Sequence, residues 1–351
     1  MNLDEIITSP SPWLKPGGPQ SEIVLSTRVR LARNVAGRPF LARMDADQQE
    51  EFAPLLKNAV TAAVRDDDYT WFDLESLTEI DRECLLERHL ISREHAAAEG
   101  PRAVAVSPDQ RIAIMTNEED HLRLQVYAAG LQPENAWTEA DALDDRIESQ
   151  VAYAFSPTLG YLTACPTNVG TGMRASVMLH LPALALTRQI EKVFNAVARM
   201  RLAVRGIYGE GTQAVGDMYQ ISNQGSLGRS EQDILGTLAS VIPQIIEYEE
   251  QARQVLVGES PTALDDRLYR SWALLTHART ISSEETLTLL SAVRLGIHLG
   301  RINGIDIGAV NELFLLTRRG HIQRIRGAEL DEAERDQARA DYIRNRLDNH
   351  G

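Results

Sequence analysis

The chain has 351 residues and carries 36 Lys and Arg against 50 Asp and Glu, which gives a formal net charge of −14. This length favours two domains, because a single hydrophobic core stops growing at about 250–300 residues. Hydrophobic residues make up 43% of the chain, enough for a packed interior, which argues against general disorder. The acidic balance argues against general nucleic-acid binding, which needs a dominant basic surface.

Cysteine usage and the N-terminal sequence bear on the cellular compartment. The two cysteines, Cys84 and Cys165, are too few and too far apart for a disulfide framework or a metal motif, which fits a reducing compartment. The acidic, proline-interrupted N-terminus does not resemble a signal peptide. No apolar run approaches the ~18 residues that would span a membrane. These features predict a soluble cytoplasmic protein without a membrane or general nucleic-acid partner.

Alternating apolar residues predict strands in the first part of the chain. Residues 1–20 read as a loose leader that ends in Lys-Pro-Gly-Gly-Pro. In the next segment a two-residue period places Ser26, Arg28 and Arg30 on one face of a strand. Segments 103–106 and 111–115 flank a turn sequence and predict a hairpin. The same alternation predicts further strands at 121–126, 173–182, 201–211 and 217–223.

Helices are predicted between these strands. Leu143, Ile147 and Val151 fall at helical spacing, and segment 184–200 reads as one helix. Ser230 and Asp233 form a capping signal for a long helix. Strands joined by short turns and interspersed with helices predict an α+β fold, with a mostly antiparallel sheet flanked by helices.

The pattern changes after about residue 257, where four successive segments have helical character. We therefore expect three parts: the leader at 1–20, an α+β domain at 21–256 and an all-helical C-terminal domain at 258–351.

Five arginines recur on or beside the predicted strands of the α+β domain. A buried arginine is costly unless it is paired, and its guanidinium suits bidentate contacts with phosphate. The set therefore indicates a common anionic ligand. The alternative is that these are surface arginines paired with the many carboxylates of the chain. The five are Arg28, Arg30, Arg123, Arg174 and Arg205.

Three further candidates lie in predicted loops. Cys165 precedes a Pro-Thr-Asn turn near Arg174, where hydroxyl groups and a cation could stabilise a thiolate, although a free cysteine is most often a small buried hydrophobe. Glu119 and Glu210 lie in a polar loop and in a glycine-rich loop, where carboxylates are usually only solvated. The glycine-rich stretches match neither the Walker A nor the Rossmann pattern.

Together, four segments in this order resemble the motifs of the phosphagen (guanidino) kinases, the family of arginine and creatine kinases. The resemblance is closest to the McsB-type protein arginine kinases of bacteria. Few residues precede Ser26, where small-molecule kinases have a helical domain, and the C-terminal segment resembles the extra domain of the protein arginine kinases. The segments are LSTRVRLARN (25–34), NEEDHLR (117–123), CPTNVGTGMRAS (165–176) and RGIYGEG with YQISNQ (205–211 and 219–224).

The resemblance implies a catalytic domain with the guanidino-kinase, glutamine-synthetase-like fold, and a role for each candidate. The five arginines match residues that hold the nucleotide phosphates, and Ser26 and His89 are further nucleotide-binding candidates. Glu119 and Glu210 match the two carboxylates that hold the guanidinium, and Cys165 matches the cysteine beside it. ATP and Mg²⁺ are the implied cofactors, and no protein-held metal site is expected.

This chemistry accounts for the residue types. Phosphoryl transfer depends on positioning and on neutralising the γ-phosphoryl oxygens, which arginines and Mg²⁺ can do. A guanidinium has a pKa above ~12 and is a poor nucleophile while protonated. Two carboxylates can align its planar fork and accept a proton as the N–P bond forms.

A second site and several partners are also implied by the resemblance. Arg335 and Asp336 resemble the pair with which the extra domain reads phosphoarginine, although such charged runs are usually solvated helix faces. The implied partners are proteins with exposed arginines, a zinc-binding activator, a heat-shock repressor and a Clp unfoldase–protease. A homodimer or higher homo-oligomer is expected, with dimerisation and phosphoarginine recognition assigned to the C-terminal domain.

The predicted function is that of an ATP-dependent protein arginine kinase, marking proteins for Clp degradation in the stress response. One alternative is a kinase of free arginine or another small guanidino compound. A second is a non-catalytic phosphoarginine-binding adaptor. A third, a carboxylate–amine ligase of the glutamine synthetase type, lacks a recognisable array of metal-binding carboxylates.

Overall fold

A computed structural model describes residues 2–64, 69–206 and 214–348 of the chain. Its described strands are β1 (Val24–Arg33), β2 (Thr70–Asp73), β3 (Ala103–Val106), β4 (Ile112–Thr116), β5 (Leu122–Ala129), β6 (Phe155–Ser156), β7 (Gly160–Tyr161), β8 (Met173–His180), β9 (Leu202–Gly206) and β10 (Met218–Asn223).

The described helices divide into those that accompany the strands and those that follow them. The first group is α1 (Leu3–Thr8), α2 (Ala46–Ala63), α3 (Glu79–Glu87), α4 (Arg93–Ala97), α5 (Pro133–Glu148), α6 (Pro182–Leu186), α7 (Ile190–Arg199) and α8 (Glu231–Glu259). The second group is α9 (Pro261–His277), α10 (Ser283–His298), α11 (Ile307–Leu316), α12 (Arg319–Arg326) and α13 (Glu332–Asp348).

Eight strands form one sheet in the order β2-β3-β4-β5-β1-β8-β10-β9, and every neighbouring pair is antiparallel. β1 lies at the centre, between β5 and β8. The predicted α+β fold with an antiparallel sheet is therefore confirmed, and the sequence segments that carry the candidate arginines become neighbours across the sheet.

One face of the sheet is apolar because the inward residues of each strand alternate with polar ones. Val29 and Leu31 of β1 are fully buried on this face, with Val177 of β8 beside them. α2, α5 and α8 cover it, with Leu56 and Leu143 among the side chains in the same core. Ser230 caps α8 reciprocally with Asp233, as the sequence predicts.

The opposite face is polar at its centre and covered at both ends. At one end α3 packs on β2, β3 and β4 through a small core that includes Leu85 and Met115. At the other end the helices α9–α11 and α13 share a core with Tyr127, Met178 and Met218 of the sheet. A pocket is thus left between two apolar blocks, over the middle of the central strands.

The first twenty residues differ from the expected loose leader. Residues 3–8 form α1, and Ile6, Ile7, Trp13 and Leu14 are buried. The Trp13 indole Nε1 donates a hydrogen bond to the carbonyl oxygen of Arg88 at 3.2 Å. Four apolar side chains among prolines and polar residues give no periodic signal, so the sequence did not reveal this packing.

The single helix predicted at 184–200 is two helices. α6 ends at Leu186, and Arg188 has a left-handed φ of 57°, which breaks the helix before α7 begins. None of the helices in the described ranges has the length and apolar character needed to cross a membrane.

The buried N-terminal segment leads to a stability prediction. Replacing Leu14, which is 2% exposed, by Ala should lower the free energy of unfolding by about 2–5 kcal/mol, because it leaves a cavity in the core under α11. Leu159→Ala is the matched control, since Leu159 is 46% exposed, and it should change stability by less than about 0.5 kcal/mol. Urea titrations of both variants measure this. Equal losses would mean that the segment is not packed as described.

Candidate active site

The antiparallel register places the five predicted arginines on one face of the sheet, four of them on the strands β1, β5 and β8. Arg30 of β1 lies directly opposite Arg174 of β8, and on its other side it faces Gln125 of β5. Arg28 lies two residues before Arg30, and Arg123 lies two residues before Gln125, so both share the face. We call Arg28, Arg30, Arg123 and Arg174 the arginine face.

The arginine face is electrostatically unfavourable on its own. Burial and then the charges of Arg28, Arg123 and Arg174 hold the pKa of Arg30 well below its ordinary value. Burial, followed by Arg205, Arg123 and Arg28, also lowers the pKa of Arg174. Like charges opposite each other destabilise a sheet. A bound anion would relieve this repulsion.

Arg30 also has an unused donor. Its Nε is buried and has no hydrogen-bond partner within the described part of the chain. A buried donor without a partner lowers the stability of the folded state by about 1–3 kcal/mol. The unpaired Nε of Arg30 therefore indicates a ligand that supplies an acceptor.

Two other arginines are oriented by neutral groups that leave their charge free. Arg28 donates to the Tyr127 hydroxyl oxygen and to Gln220 Oε1, each at 2.8 Å. Arg174 donates through Nε to the carbonyl oxygen of Asn223 at 3.4 Å. Because these partners carry no charge, they fix the guanidinium groups without neutralising them.

Arg123 is the exception, since it forms an ion pair with Glu118 at 2.5 Å. Burial opposes ionisation of Glu118, but Arg123 and a hydrogen bond from Ser92 prevail and lower its pKa. Arg205, the fifth predicted arginine, is exposed near the end of β9, opposite Gln220 of β10.

A narrow cleft opens over the polar face, and the predicted nucleotide-binding residues Ser26, Arg28 and His89 all line it. His89 follows α3 with a left-handed φ of 58°, and its ring packs on Trp13 with the centroids 4.9 Å apart. Burial and then nearby arginines, Arg28 first, lower the pKa of His89 to about 3. The ring is therefore neutral, and its buried Nε2 has no partner among the described residues.

Cys165 and Glu119 lie on two loops that a third residue joins. The buried carboxylate of Asp120 accepts hydrogen bonds at 2.6 Å from the backbone N–H of Ala164 and from the side-chain amide of Asn34. Ala164 precedes Cys165 and Asp120 follows Glu119, so this contact links the two predicted catalytic groups. Cys165 is half-buried, and its Sγ lies 3.1 Å from Thr167 Oγ1.

Glu119 makes only a long ion-pair contact with the arginine face among the described residues. Its side chain is 45% exposed and its carboxylate lies 3.9 Å from Arg123. Burial and then the neighbouring Asp120 raise the pKa of Glu119, whereas Glu118 is held as an anion. Of the two neighbouring carboxylates, Glu119 is therefore the one available for a ligand.

The loop that carries Cys165 requires glycine for steric reasons. Gly170 has a φ of 115°, and a Cβ there would lie 2.7 Å from the carbonyl oxygen of Ser226. Beside this loop is an open groove of about 390 Å³ that Pro166, Thr167, Arg201 and Arg229 help to line. Glu210, the second predicted carboxylate, lies outside the described residues.

The sequence of the chain is similar to those of known families and proteins. Residues 51–252 match the family described as ATP:guanido phosphotransferase, C-terminal catalytic domain. Residues 261–351 match the protein-arginine kinase McsB C-terminal domain. A protein-arginine kinase of Halothermothrix orenii is 48% identical over 99% of both chains. One of Symbiobacterium thermophilum is 46% identical, also over 99% of both.

The chain belongs to the protein-arginine kinases of the ATP:guanido phosphotransferase family. The family and the enzyme class implied by the sequence motifs are thereby confirmed.

Solved structures agree on the fold of this family. A crystal structure of lombricine kinase matches with a TM-score of 0.58 and 26% identity, over 72% of this chain and 74% of that one. The substrate-free duplicated taurocyamine kinase of Schistosoma mansoni matches with a TM-score of 0.57 and 24% identity. That match covers 78% of this chain and 41% of the duplicated one, and it bears on the fold alone.

Arg335 and Asp336 of this chain both lie in the helix α13. Arg335 donates to the carbonyl oxygen of Leu330 at 2.6 Å, and Asp336 pairs with the buried Arg339 at 2.5 Å. The two side chains are half-buried near the start of the helix. They are adjacent in sequence, but each is also held by a neighbour of its own.

Cys84 is buried, whereas Cys165 is half-buried. Cys84 is fully buried in α3, and burial, followed by Glu87 and Asp81, raises the pKa of its thiol well above the ordinary value. Its sulfur lies near Glu87 and His321, but these two groups hydrogen-bond to each other at 2.6 Å. The group therefore joins α3 to α12 as a structural contact.

Several residues of the site were missed by the sequence reasoning. They are Trp13, Glu118, Asp120, Tyr127, Gln220 and Asn223. The period-two pattern did contain a signal for some of them, since Tyr127 and Gln220 occupy the polar face of strands already predicted. Glu118 and Asp120 flank Glu119, and only the tertiary contacts distinguish the roles of the three.

The arginine face predicts how nucleotide binding responds to charge removal. Arg30→Met keeps the side-chain stem but removes the charge, so the Kd for ADP should rise by about 10- to 100-fold. The unfolding temperature should not fall, because a repulsive charge is also removed. The matched control is Arg111→Met, since the Arg111 side chain is 40% exposed and is paired with Asp109 and Glu139. Calorimetric titration with ADP measures both variants. An unchanged Kd in Arg30→Met would remove this arginine from the site.

The two cysteines should differ in reactivity. Iodoacetamide is expected to modify Cys165 first, with a parallel loss of activity, because Cys84 is buried. ADP together with an acceptor protein should slow the modification. Peptide mapping by mass spectrometry identifies the modified residue, and Cys165→Ser, which should resist inactivation, is the control. Faster labelling of Cys84, or full activity after labelling of Cys165, would contradict this assignment.

Proposed function

We propose that this protein is an ATP-dependent protein arginine kinase, which transfers the γ-phosphoryl group of ATP to arginine side chains of other proteins. The observation that carries the proposal is the arginine face, a set of like charges with an unused buried donor at Arg30. The relatives named protein-arginine kinase support the choice of acceptor. The open groove beside Cys165 offers room for a polypeptide segment.

In the proposed reaction the bond between the γ-phosphorus of ATP and the oxygen that bridges it to the β-phosphate breaks, and ADP leaves with that oxygen. A bond from the phosphorus to a guanidinium nitrogen forms. The arginine face, with Arg205, neutralises the charge on the transferred group and on the leaving ADP. Mg²⁺ would arrive bound to ATP and would neutralise part of the charge on its phosphates. Ser26 and the neutral ring of His89 contact the nucleoside end in the cleft.

On the acceptor side, Glu119 and Glu210 align the guanidinium and one of them accepts its proton. The raised pKa of Glu119 suits a group that must take up a proton. Cys165 lies on the loop that Asp120 joins to that of Glu119, and its sulfur stabilises the positive charge of the bound arginine.

We assign catalysis to residues 21–256 and a regulatory helical domain to 258–351. The two matched families, at 51–252 and 261–351, support this division. Following the family resemblance, we further propose a cytoplasmic homo-oligomer that marks proteins for a Clp unfoldase–protease in the stress response, with a zinc-binding activator and a heat-shock repressor as partners. Reconstituted degradation that proceeds equally with and without this kinase would contradict that role.

Phosphoarginine detection tests the proposed activity. An arginine-rich acceptor protein incubated with this chain and MgATP should yield phosphoarginine by mass spectrometry, and free arginine should be a much poorer acceptor. Glu119→Gln should reduce the rate by about 10²-fold while leaving ADP binding intact. Glu94→Gln, an exposed carboxylate near Glu119, is the control and should retain activity. Preferential modification of free arginine would favour a small-molecule kinase.

The C-terminal domain is proposed to bind phosphoarginine through Arg335 and Asp336. An arginine can bind the phosphoryl group and a carboxylate can accept from the guanidine nitrogens.

Free phosphoarginine should bind the chain in calorimetry, and the Arg335→Ala, Asp336→Ala double variant should lose that binding. The matched control is the Arg326→Ala, Asp341→Ala double variant, because these residues form an exposed pair at 2.9 Å between α12 and α13. All proteins carry Glu210→Ala to silence the active site. Equal binding by both double variants would remove the second site.

A further inference from the structure

Three adjacent strands of the sheet, β1, β8 and β10, have an end beneath α10. β1 begins at Val24, β8 ends at His180 and β10 begins at Met218, and Met218 pairs with His180. β1 and β8 carry Arg28, Arg30 and Arg174. The position of these strand ends therefore bears directly on the arginine face.

A chain of hydrogen bonds joins α10 to two of the strand ends. Arg294 NH1 donates to His180 Nδ1 at 2.7 Å, and His180 Nε2 lies 2.9 Å from Ser291 Oγ. Ser291 Oγ in turn donates to Asp217 Oδ2 at 2.6 Å. Burial, then the charges of Arg294 and Arg253, keep the pKa of His180 well below its ordinary value.

The protons in this chain have one consistent arrangement. Since the imidazole of His180 is neutral and Nδ1 accepts from Arg294, the ring proton is on Nε2 and is donated to Ser291. Ser291 then gives its own proton to Asp217. Each of these groups is hydrogen-bonded to the next one along the chain, which favours a single geometry for the four.

The same arginine holds the start of β1. Arg294 NH2 donates to the carbonyl oxygen of Ser21 at 2.8 Å, and NH1 donates to that of Glu22 at 2.9 Å. Its Nε donates to Asn311 Oδ1 on α11 at 3.0 Å. The guanidinium is thus fixed on both sides and links α10 to β1 as well as to β8.

The turn before β10 fits against α10 in one position only. Gly216 and Asp217 both have left-handed φ values, 75° and 54°. A Cβ on Gly216 would lie 3.0 Å from the carbonyl oxygen of Leu287, one helical turn before Ser291. The backbone of the turn is therefore in contact with α10 where the Asp217 side chain reaches it.

β10 carries the groups that orient two of the arginines. Gln220 Oε1 accepts from Arg28, and the carbonyl oxygen of Asn223 accepts from Arg174. The Asn223 side chain also bonds the backbone of β8 at Ala175 and Met173. A shift of the start of β10 would move the groups that orient both arginines.

We propose that Arg294, His180, Ser291 and Asp217 form a positioning network for phosphoryl transfer, through which α10 holds β1, β8 and β10 in the register that aims Arg28 and Arg174 at the nucleotide phosphates. The inference rests on the proposed phosphate role of these arginines. It makes α10 a part of the nucleotide site without contact to the nucleotide, and its four members are positioning residues, not catalytic ones.

The test breaks the network at two points. Ser291→Ala removes the central hydroxyl, and Asp217→Gly removes the final acceptor while tolerating the left-handed backbone. Asp217→Asn keeps both the acceptor oxygen and the backbone preference and serves as the conservative rescue. Ser271→Ala is the matched control, because Ser271 is also buried, on α9, and its hydroxyl donates to the carbonyl oxygen of Arg267 in its own helix.

The measurements are the Kd for ADP by calorimetry, the KM values for MgATP and for the acceptor protein, and the unfolding temperature. Ser291→Ala and Asp217→Gly should each weaken ADP binding by about tenfold and raise the KM for MgATP, with the acceptor KM unchanged. Asp217→Asn should recover most of the affinity, and Ser271→Ala should match wild type even where its unfolding temperature falls.

Each outcome has a distinct meaning. ADP affinity in Ser291→Ala and Asp217→Gly that equals that of Ser271→Ala would overturn the positioning role. If one of these two variants fails to fold, the other still decides the question. Absence of ADP binding in the wild type would instead contradict the proposed function, and parallel increases in both KM values would indicate a general structural loss.

Discussion

The mutual repulsion of the arginines on the central strands is the constraint on which the site depends. The sheet places Arg30 opposite Arg174 with Arg28 and Arg123 beside them, and the described hydrogen-bond partners of Arg28 and Arg174 are neutral. Among the described residues, only Arg123 of the arginine face has a carboxylate partner at short distance, Glu118. The fold therefore bears an electrostatic cost in the free protein that a polyanionic ligand relieves, and this difference becomes binding energy.

Holding like charges together requires a stiff support, and the architecture supplies it from both ends of the polar face. The N-terminal segment buries Trp13 against His89 and closes one side of the cleft. The C-terminal helices share a core with Tyr127, Met178 and Met218 and form the other side. The parts of the chain that flank the catalytic motifs in sequence are thus walls of the same pocket.

Much of the site could be predicted from the sequence because its information is local. The two-residue period of β1 placed Arg28 and Arg30 on one face, and the Cys-Pro-Thr-Asn motif drew attention to the loop that carries Cys165. The contacts between distant segments could not be predicted in this way. Glu118 rather than Glu119 pairs closely with Arg123, and Asp120 joins the loop to Ala164, because tertiary packing, not spacing, distinguishes three adjacent carboxylates. The buried leader and the break at Arg188 lacked any periodic signal.

The most direct test of the central claim is the unfolding temperature of the wild-type protein with equal concentrations of adenosine, AMP and ADP, each with Mg²⁺. At equal concentration, a ligand that binds the folded state more tightly raises its free energy of unfolding more. If the arginine face is built for phosphates, the increase should grow from adenosine through AMP to ADP and should shrink as salt is added. Equal increases for all three ligands would show that the nucleoside alone drives binding, and would contradict the account.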